Sequence, residues 1–169
     1  MSNDIPCTIV IFGASGDLTH RKLIPALYNN FRKKRLPERL RIVGFARRNW
    51  SDGHFRDRLG DALKEFGTVF DPSAWNAFAR DIHYVRGDLE TAADYASLRA
   101  YLAELENGPA DRLYYLATAP DYYPIACRNL TAADMSREEN GQRRIVIEKP
   151  FGRDLASAES LDASLHTHF

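Results

Sequence analysis

Two glycines follow the first apolar run of the chain, and the turn that they predict could bind a phosphate. The run Thr8 to Phe12 is mainly apolar and β-branched, and Gly13 and Gly16 precede a helical pattern. This order predicts a strand, a tight turn and a helix. Because glycine lacks a Cβ, its backbone can approach a ligand closely, and the N–H groups at a helix start attract phosphate. The stretch is therefore typical of the first strand–helix turn in a dinucleotide-binding sheet.

The spacing of these glycines leaves a second interpretation open. The usual fingerprint is G-x-G-x-x-G, whereas this chain has Gly13-x-x-Gly16, with Thr19 in place of a third small residue. An ordinary strand–helix loop has the same local pattern. The features at the ends of the other strands decide between the two interpretations.

Charged residues follow the second and third predicted strands. Arg47 and Arg48 come directly after the second strand, where an arginine suits the 2′-phosphate of NADP and a carboxylate would suit NAD. Asp88 and Leu89 follow the third strand, and the aspartate could accept a hydrogen bond from an adenine amino group. The alternatives are two solvent-exposed arginines and an aspartate that only leads into a helix.

The elements that must position these residues alternate along the chain. Apolar periodicity predicts strands over 8–12, 40–46, 82–85, 112–117 and 143–148. It predicts helices over 17–35, 52–66, 91–106, 121–134 and 154–166, with a short further helix opening at Pro72. Pro25 predicts a kink or a late start in the first helix. The alternation indicates an α/β fold, a doubly wound parallel sheet of Rossmann type with strand order 3-2-1-4-5 and helices on both faces.

Composition narrows the range of partners. The 169 residues contain 23 Lys and Arg against 23 Asp and Glu, so no net charge favours nucleic acid or an anionic membrane as a partner. Cys7 and Cys127 lack the spacing of a metal site or a disulfide framework, and no metal is predicted. No signal peptide or membrane-spanning run is visible, so we expect a cytoplasmic protein.

Four motifs along the chain form a specific combination. They are Gly-Ala-Ser-Gly-Asp-Leu-Thr at 13–19, Arg-Lys at 21–22, Val-Gly-Phe-Ala-Arg at 43–47 and Glu-Lys-Pro-Phe-Gly-Arg-Asp-Leu at 148–155. Together they resemble the glucose-6-phosphate dehydrogenase family. The resemblance runs from about Thr8 to the end of the chain. It implies oxidation of glucose 6-phosphate at C1 to the lactone with reduction of NADP, the first step of the pentose phosphate pathway.

The resemblance also implies roles for single residues. The coenzyme pyrophosphate would lie against Gly13, Ala14, Ser15, Gly16, Asp17, Leu18, Thr19 and His20. Ser15 and Arg47 would bind the 2′-phosphate, and Tyr123 would contact the coenzyme. Lys149 would lie between the nicotinamide and the sugar, and Lys22 at the coenzyme–substrate cleft. We add Asp88 and Leu89 to the coenzyme residues from their position after the third strand.

The family pattern also sets an expectation for domain organisation. Residues 1–169 would form a single NADP-binding domain, and the substrate and dimerisation domain of this homo-oligomeric family would be absent. The histidine that serves as the family's base would lie beyond Phe169, whereas His166 and His168 are expected to be surface residues at the last helix end. No catalytic residue is therefore assigned, and we expect the chain alone to bind NADP without turning over glucose 6-phosphate.

Two other functions remain as alternatives. An extended short-chain reductase or epimerase would also suit Gly-Ala-Ser-Gly, but it needs a Tyr-x-x-x-Lys pair, and none of the eight tyrosines has a lysine four residues on. A non-catalytic nucleotide-binding module is the other alternative. Turnover of glucose 6-phosphate would separate that module from an enzyme.

Overall fold

The computed structural model describes residues 5–67, 69–149, 152 and 154–169, and only the backbone of Ser157, Ser164 and His168. Within these residues the strands are β1 Cys7–Phe12, β2 Leu40–Ala46, β3 Ile82–Arg86, β4 Asp111–Leu116 and β5 Arg143–Ile147. The helices are α1 Ile24–Arg32, α2 Asp52–Phe66, α3 Pro72–Ala79, α4 Ala92–Glu106, α5 Tyr123–Ala132 and α6 Leu155–His168. Most bounds lie within one or two residues of those predicted.

The five strands form one parallel sheet in the order β3-β2-β1-β4-β5. The predicted doubly wound fold is therefore confirmed. β1 lies at the centre and pairs with β2 on one side and β4 on the other, so the chain winds outward in both directions from β1. The carboxyl ends of all five strands meet along one edge of the sheet.

Alternate side chains of the central strand enter two cores, one on each face of the sheet. Ile9 and Ile11 pack with residues of α1, α2 and α3, whereas Val10 and Phe12 pack with residues of α4, α5 and α6. Because both faces are covered, the inner strands are apolar on both sides, which explains their continuous apolar runs. The sheet is held rigidly between two layers of helices, and its edge can position the residues that follow each strand.

The first helix starts late, as Pro25 predicted, and it ends before the predicted residue 35. Residues 19–23 form a π-helical turn before α1, and the backbone N–H of Ile24 donates to the carbonyl of Thr19. Pro25 has no N–H, so it cannot complete the usual α-helical bond at this point, and the wider turn accommodates the missing donor. The helix ends at Arg32 instead of 35, and Lys34 adopts a left-handed conformation with φ 53°.

No helix among the described residues combines the length and apolar character that crossing a bilayer requires.

Candidate functional site

A cleft of about 400 Å³ opens at the carboxyl edge of the sheet, above β1 and its neighbours. Its walls come from the turns that follow β1, β2, β3 and β4, including Gly13, Arg47, Asp88 and Thr118. It lies at the point where the chain changes direction about β1, which is where open α/β sheets bind their ligands. The structure therefore brings together four of the turns that the sequence singled out.

The turn after β1 approaches the end of β4 too closely for any side chain at Gly13. This residue has φ +78°, and a Cβ built on it would lie 2.5 Å from the carbonyl oxygen of Ala117 and 2.8 Å from Cγ2 of Thr118. The Gly13 N–H donates to the carbonyl of Phe45 at 3.0 Å, and the Gly16 N–H donates to the carbonyl of Gly13 at 2.9 Å. The turn is thus hydrogen-bonded to the β2 residue Phe45 and packed against the end of β4, with Ser15 and Gly16 lining the cleft.

The remaining residues of the predicted pyrophosphate segment do not all face the cleft. Ala14 and Thr19 are fully buried, and neither residue lines the cleft. Leu18 is partly buried. Asp17 is exposed and pairs with Arg21 at 3.5 Å.

His20 supports the Gly-rich turn from the following helix. Its Nδ1 lies 2.8 Å from the carbonyl oxygen of Gly16. A carbonyl only accepts hydrogen bonds, so Nδ1 must carry the proton and donate it. This bond ties the helix to the turn, which gives His20 a supporting role at the site.

Arg47 follows β2 and is exposed at the rim of the cleft. Arg86, which pairs with Ala46 in the sheet, ends β3 and lines an adjoining hollow with Arg47, Asp88 and Asp94. Arg86 was not among the residues predicted for the site. Its position at the end of a strand beside β2 could have identified it as a site residue, because the carboxyl ends of neighbouring parallel strands lie close together.

Asp88 stabilises its own turn and also lines the cleft. Its carboxylate accepts a hydrogen bond from the Glu90 N–H at 3.0 Å, and its own N–H donates to Asp94 at 2.7 Å. The carbonyl of the next residue, Leu89, accepts from Tyr95 and Asn129, each at 3.0 Å. The helix-leading role proposed as an alternative is therefore real, and it coexists with a position at the cleft wall.

The structure corrects the position expected for Tyr123. This side chain is buried, and its hydroxyl donates to the carbonyl of Glu148 at 3.3 Å. Its neighbour Tyr122 lines the cleft instead. A short 3₁₀ turn over Pro120–Tyr122 precedes α5, and Tyr123 is the first residue of that helix, directed into the core. The tyrosine that can touch a ligand in this cleft through its side chain is Tyr122.

Lys149 lies two residues beyond the end of β5 and is exposed at the same sheet edge. The residue before it, Glu148, is held by the Tyr115 hydroxyl, which donates to the Glu148 carboxylate. Burial and the neighbouring carboxylate raise the pKa of Tyr115, so the hydroxyl stays protonated and can donate. Lys22 is exposed on the π-helical turn, and neither lysine lines the 400 Å³ cleft. Residues 150, 151 and 153 of the predicted motif at 148–155 lie outside the described residues.

The last residues of the chain pack against the domain or face solvent, and those that the structure describes do not line the cleft. His166 is exposed, as predicted, and its Nδ1 lies 3.0 Å from the carbonyl oxygen of Asp162 in the preceding turn of α6. The side chain of His168 lies outside the described residues. Phe169 packs against the core that contains Val10 and Phe12, with its ring centroid 6.0 Å from that of Tyr114. Phe169 therefore has a packing role. The position of the family's histidine base, expected beyond Phe169, stays a prediction.

The fold and the cleft define a class: a doubly wound α/β domain with a dinucleotide-type site at its switch point. A family model described as "Glucose-6-phosphate dehydrogenase, NAD binding domain" matches residues 10–169. The chain therefore belongs to the glucose-6-phosphate dehydrogenase family, in which it corresponds to the dinucleotide-binding domain. The match does not favour the short-chain reductase alternative.

Relatives and solved structures agree with this assignment. A glucose-6-phosphate 1-dehydrogenase of Chlamydia muridarum is 41% identical over 165 residues, which are 92% of this chain and 32% of that protein. A solved glucose-6-phosphate dehydrogenase in complex with its substrate glucose-6-phosphate superposes with a TM-score of 0.86 at 32% identity, covering all of this chain and 36% of its own. The Mycobacterium avium enzyme gives 0.83 at 32% identity, over 97% of this chain and 34% of its own. The chain thus spans about a third of the length of these proteins.

Proposed function

We propose that the cleft binds NADP, with the 2′-phosphate against Arg47 and Ser15 and the pyrophosphate against the Gly13–Gly16 turn. One observation carries this proposal: Arg47 and the glycine turn line the same cleft at the switch point of the sheet. A guanidinium offers several donors to one phosphate, and a glycine turn lets the ligand approach the backbone. Arg48 lines the same cleft and Arg86 lies beside it, so the local charge favours the extra phosphate of NADP over NAD.

The other predicted coenzyme residues take narrower roles in this proposal. Asp88 and Leu89 form the wall on the adenine side, and Tyr122 replaces Tyr123 as the aromatic side chain beside the ligand. Asp17, Leu18 and His20 act through the turn and the helix start that they stabilise. When bound, NADP would supply the hydride acceptor.

Coenzyme choice is tested by replacing Arg47. We expect Arg47→Ala to lose about 1.5–3 kcal/mol of NADP binding, the usual contribution of a hydrogen bond to a charged group, with little change for NAD. Calorimetric titration of both coenzymes measures this. Arg80→Ala is the matched control, because Arg80 is an exposed arginine before β3, at the opposite edge of the sheet. Equal losses for the two coenzymes in Arg47→Ala would refute the assignment.

We further propose that the chain contributes the coenzyme half of an enzyme that oxidises glucose 6-phosphate at C1 and reduces NADP. The family assignment and the substrate complex of a structural relative support this. In this proposal Lys149 hydrogen-bonds the sugar beside the nicotinamide, and Lys22 lies at the border of the two ligands. Lys149 is exposed at the ligand-binding edge of the sheet, and Lys22 is exposed on the π-helical turn beside it. Residues 1–169 form a single domain in this scheme.

The proposal predicts binding without turnover for residues 1–169. Removing the C1 hydroxyl proton needs a positioned base, which typically contributes about 10²–10⁴-fold to the rate, and a protonated lysine cannot accept a proton. We expect no NADPH formation with saturating glucose 6-phosphate, measured by absorbance of the reduced nicotinamide. A rate that disappears in Lys149→Ala would show that the chain carries its own base.

The proposal also covers the cellular location and the oligomeric state of the protein. A plant relative that is 36% identical is named as a cytoplasmic isoform, which supports a cytoplasmic location for this protein. We also propose that the whole protein forms a homo-oligomer, as the family resemblance implies.

A further inference from the structure

The hydroxyl of Tyr84 lies directly under the turn that carries Arg47. Tyr84 belongs to β3 and is 6% exposed. Its hydroxyl oxygen is 2.9 Å from the carbonyl oxygen of Ala46 and 2.8 Å from that of Arg48. These two carbonyls flank Arg47 in the chain. One buried hydroxyl therefore contacts the backbone on both sides of the exposed arginine.

A tyrosine hydroxyl has one proton, so it donates to one of these carbonyls at a time or shares the proton between them. Ala46 has a second donor, because the N–H of Gly87 lies 3.0 Å from its carbonyl oxygen. The hydroxyl is thus the more important donor for the carbonyl of Arg48. Burial raises the pKa of Tyr84 to about 12, so the proton is present at neutral pH.

The ring that carries this hydroxyl is itself held firmly. Its centroid lies 5.0 Å from that of Phe55 and 5.7 Å from that of Trp50. The Tyr84 N–H donates to the Asp52 carboxylate at 2.8 Å, which ties β3 to the start of α2. The hydroxyl is consequently a fixed point to which the Ala46–Arg48 turn is bonded.

We propose that Tyr84 is a positioning residue for coenzyme choice, whose hydroxyl holds the Ala46–Arg48 turn so that Arg47 meets the 2′-phosphate. This role rests on the proposed binding of NADP through Arg47. A backbone that is already fixed leaves only the Arg47 side chain to be ordered on binding, which improves affinity. NAD has no 2′-phosphate, so its affinity should depend little on this turn.

Tyr84→Phe tests the role, because it removes the hydroxyl and keeps the ring. We expect the NADP dissociation constant to rise about threefold to tenfold, as for the loss of one hydrogen bond, and the NAD constant to change less than about twofold. In the Arg47→Ala background, Tyr84→Phe should change NADP affinity less than about twofold, because the group being positioned is already gone. A residue with only a structural role would give the same loss in both backgrounds.

Tyr28→Phe is the matched control. Tyr28 is also a buried tyrosine, 1% exposed, and its hydroxyl donates to the carbonyl of Asp71, which does not line the cleft. We expect it to leave both dissociation constants unchanged. Titration calorimetry measures all variants, and NAD affinity together with circular dichroism reports that each chain is folded.

The outcomes separate this role from the proposed function. If Arg47→Ala lowers NADP affinity but Tyr84→Phe does not, only the role of Tyr84 is overturned. Equal losses of NADP and NAD in Tyr84→Phe, or a loss that persists in the Arg47→Ala background, also overturn it. If Arg47→Ala keeps the NADP preference, the proposed site fails, and the role of Tyr84 fails with it.

Discussion

At the scale of single residues, the two glycines of the first turn are under different constraints. Gly13 needs both a left-handed backbone and an absent Cβ, because the end of β4 lies against it. Gly16 lies outside the left-handed region, and a Cβ there would meet the carbonyl oxygen of Gly13 at 3.1 Å. The fold therefore depends on the absence of a side chain at Gly13, whereas a side chain at Gly16 would mainly reduce the space in the cleft.

This difference predicts different outcomes for substitutions at the two glycines. Gly13→Ala should lower the free energy of unfolding by about 1–3 kcal/mol, since it forces a strained backbone against Ala117. Gly16→Val should abolish NADP binding with a smaller loss of stability, because its side chain would occupy space proposed for the pyrophosphate. Urea unfolding and calorimetric titration measure the two effects. A folded Gly16→Val chain with unchanged NADP affinity would favour the ordinary-loop interpretation.

At the scale of elements, a buried ion pair joins the end of α4 to β4. Arg112 Nη2 lies 2.7 Å from Glu106 Oε2, and Arg112 Nε lies 3.0 Å from Glu106 Oε1. The side chains of Arg112 and Glu106 are only 9% and 2% exposed. Such a bidentate pair fixes the loop between α4 and β4. Removing either residue would leave the other as an unpaired buried charge, which costs stability.

Replacing one member of this pair should therefore be more harmful than replacing both. Arg112→Met alone should cost about 3–5 kcal/mol of stability, and adding Glu106→Leu should restore much of that loss. Chemical unfolding of both variants measures the difference. Lys64→Ala serves as a control, because its pair with Asp61 is exposed and should contribute at most about 1 kcal/mol. A double variant less stable than Arg112→Met would contradict the argument.

Apolar periodicity predicted the strands and helices because burial on the sheet faces repeats along each element. The Glu106–Arg112 pair was not predicted, since charged residues beside a loop normally face solvent, and only the packed structure shows that these two are buried. The sequence pattern also could not predict which of the two side chains, Tyr122 or Tyr123, lines the cleft. That choice depends on where the 3₁₀ turn gives way to α5, and a shift of one residue turns a side chain by about 100° around a helix.

At the scale of the whole molecule, buried tyrosines set a limit on alkaline stability. Burial raises the pKa of Tyr84 to about 12, and it also raises the pKa values of Tyr95, Tyr114 and Tyr115. Tyrosines in the unfolded chain release their protons near pH 10, before those of the folded chain. Their contribution to stability is therefore fully present below about pH 10 and is lost as the pH rises towards 12.

We expect the melting temperature to fall steeply above about pH 10, measured by circular dichroism at constant ionic strength. Tyr84→Phe should show a shallower decline, because one of the raised phenols has been removed. A decline of the same slope in this variant and the unmodified chain would show that Tyr84 does not contribute.

The central position of β1 also has a consequence for synthesis on the ribosome. The β3-β2-β1 half of the sheet is complete once Arg86 has emerged, but the other side of β1 must wait for β4, which ends at Leu116. At about 5–20 residues per second this interval lasts roughly 2–6 seconds. During that time the apolar strand Cys7–Phe12 presents unpaired N–H and C=O groups, the kind of edge that joins foreign strands. The nascent chain therefore carries an unpaired apolar edge of its partly formed sheet between these two points of translation.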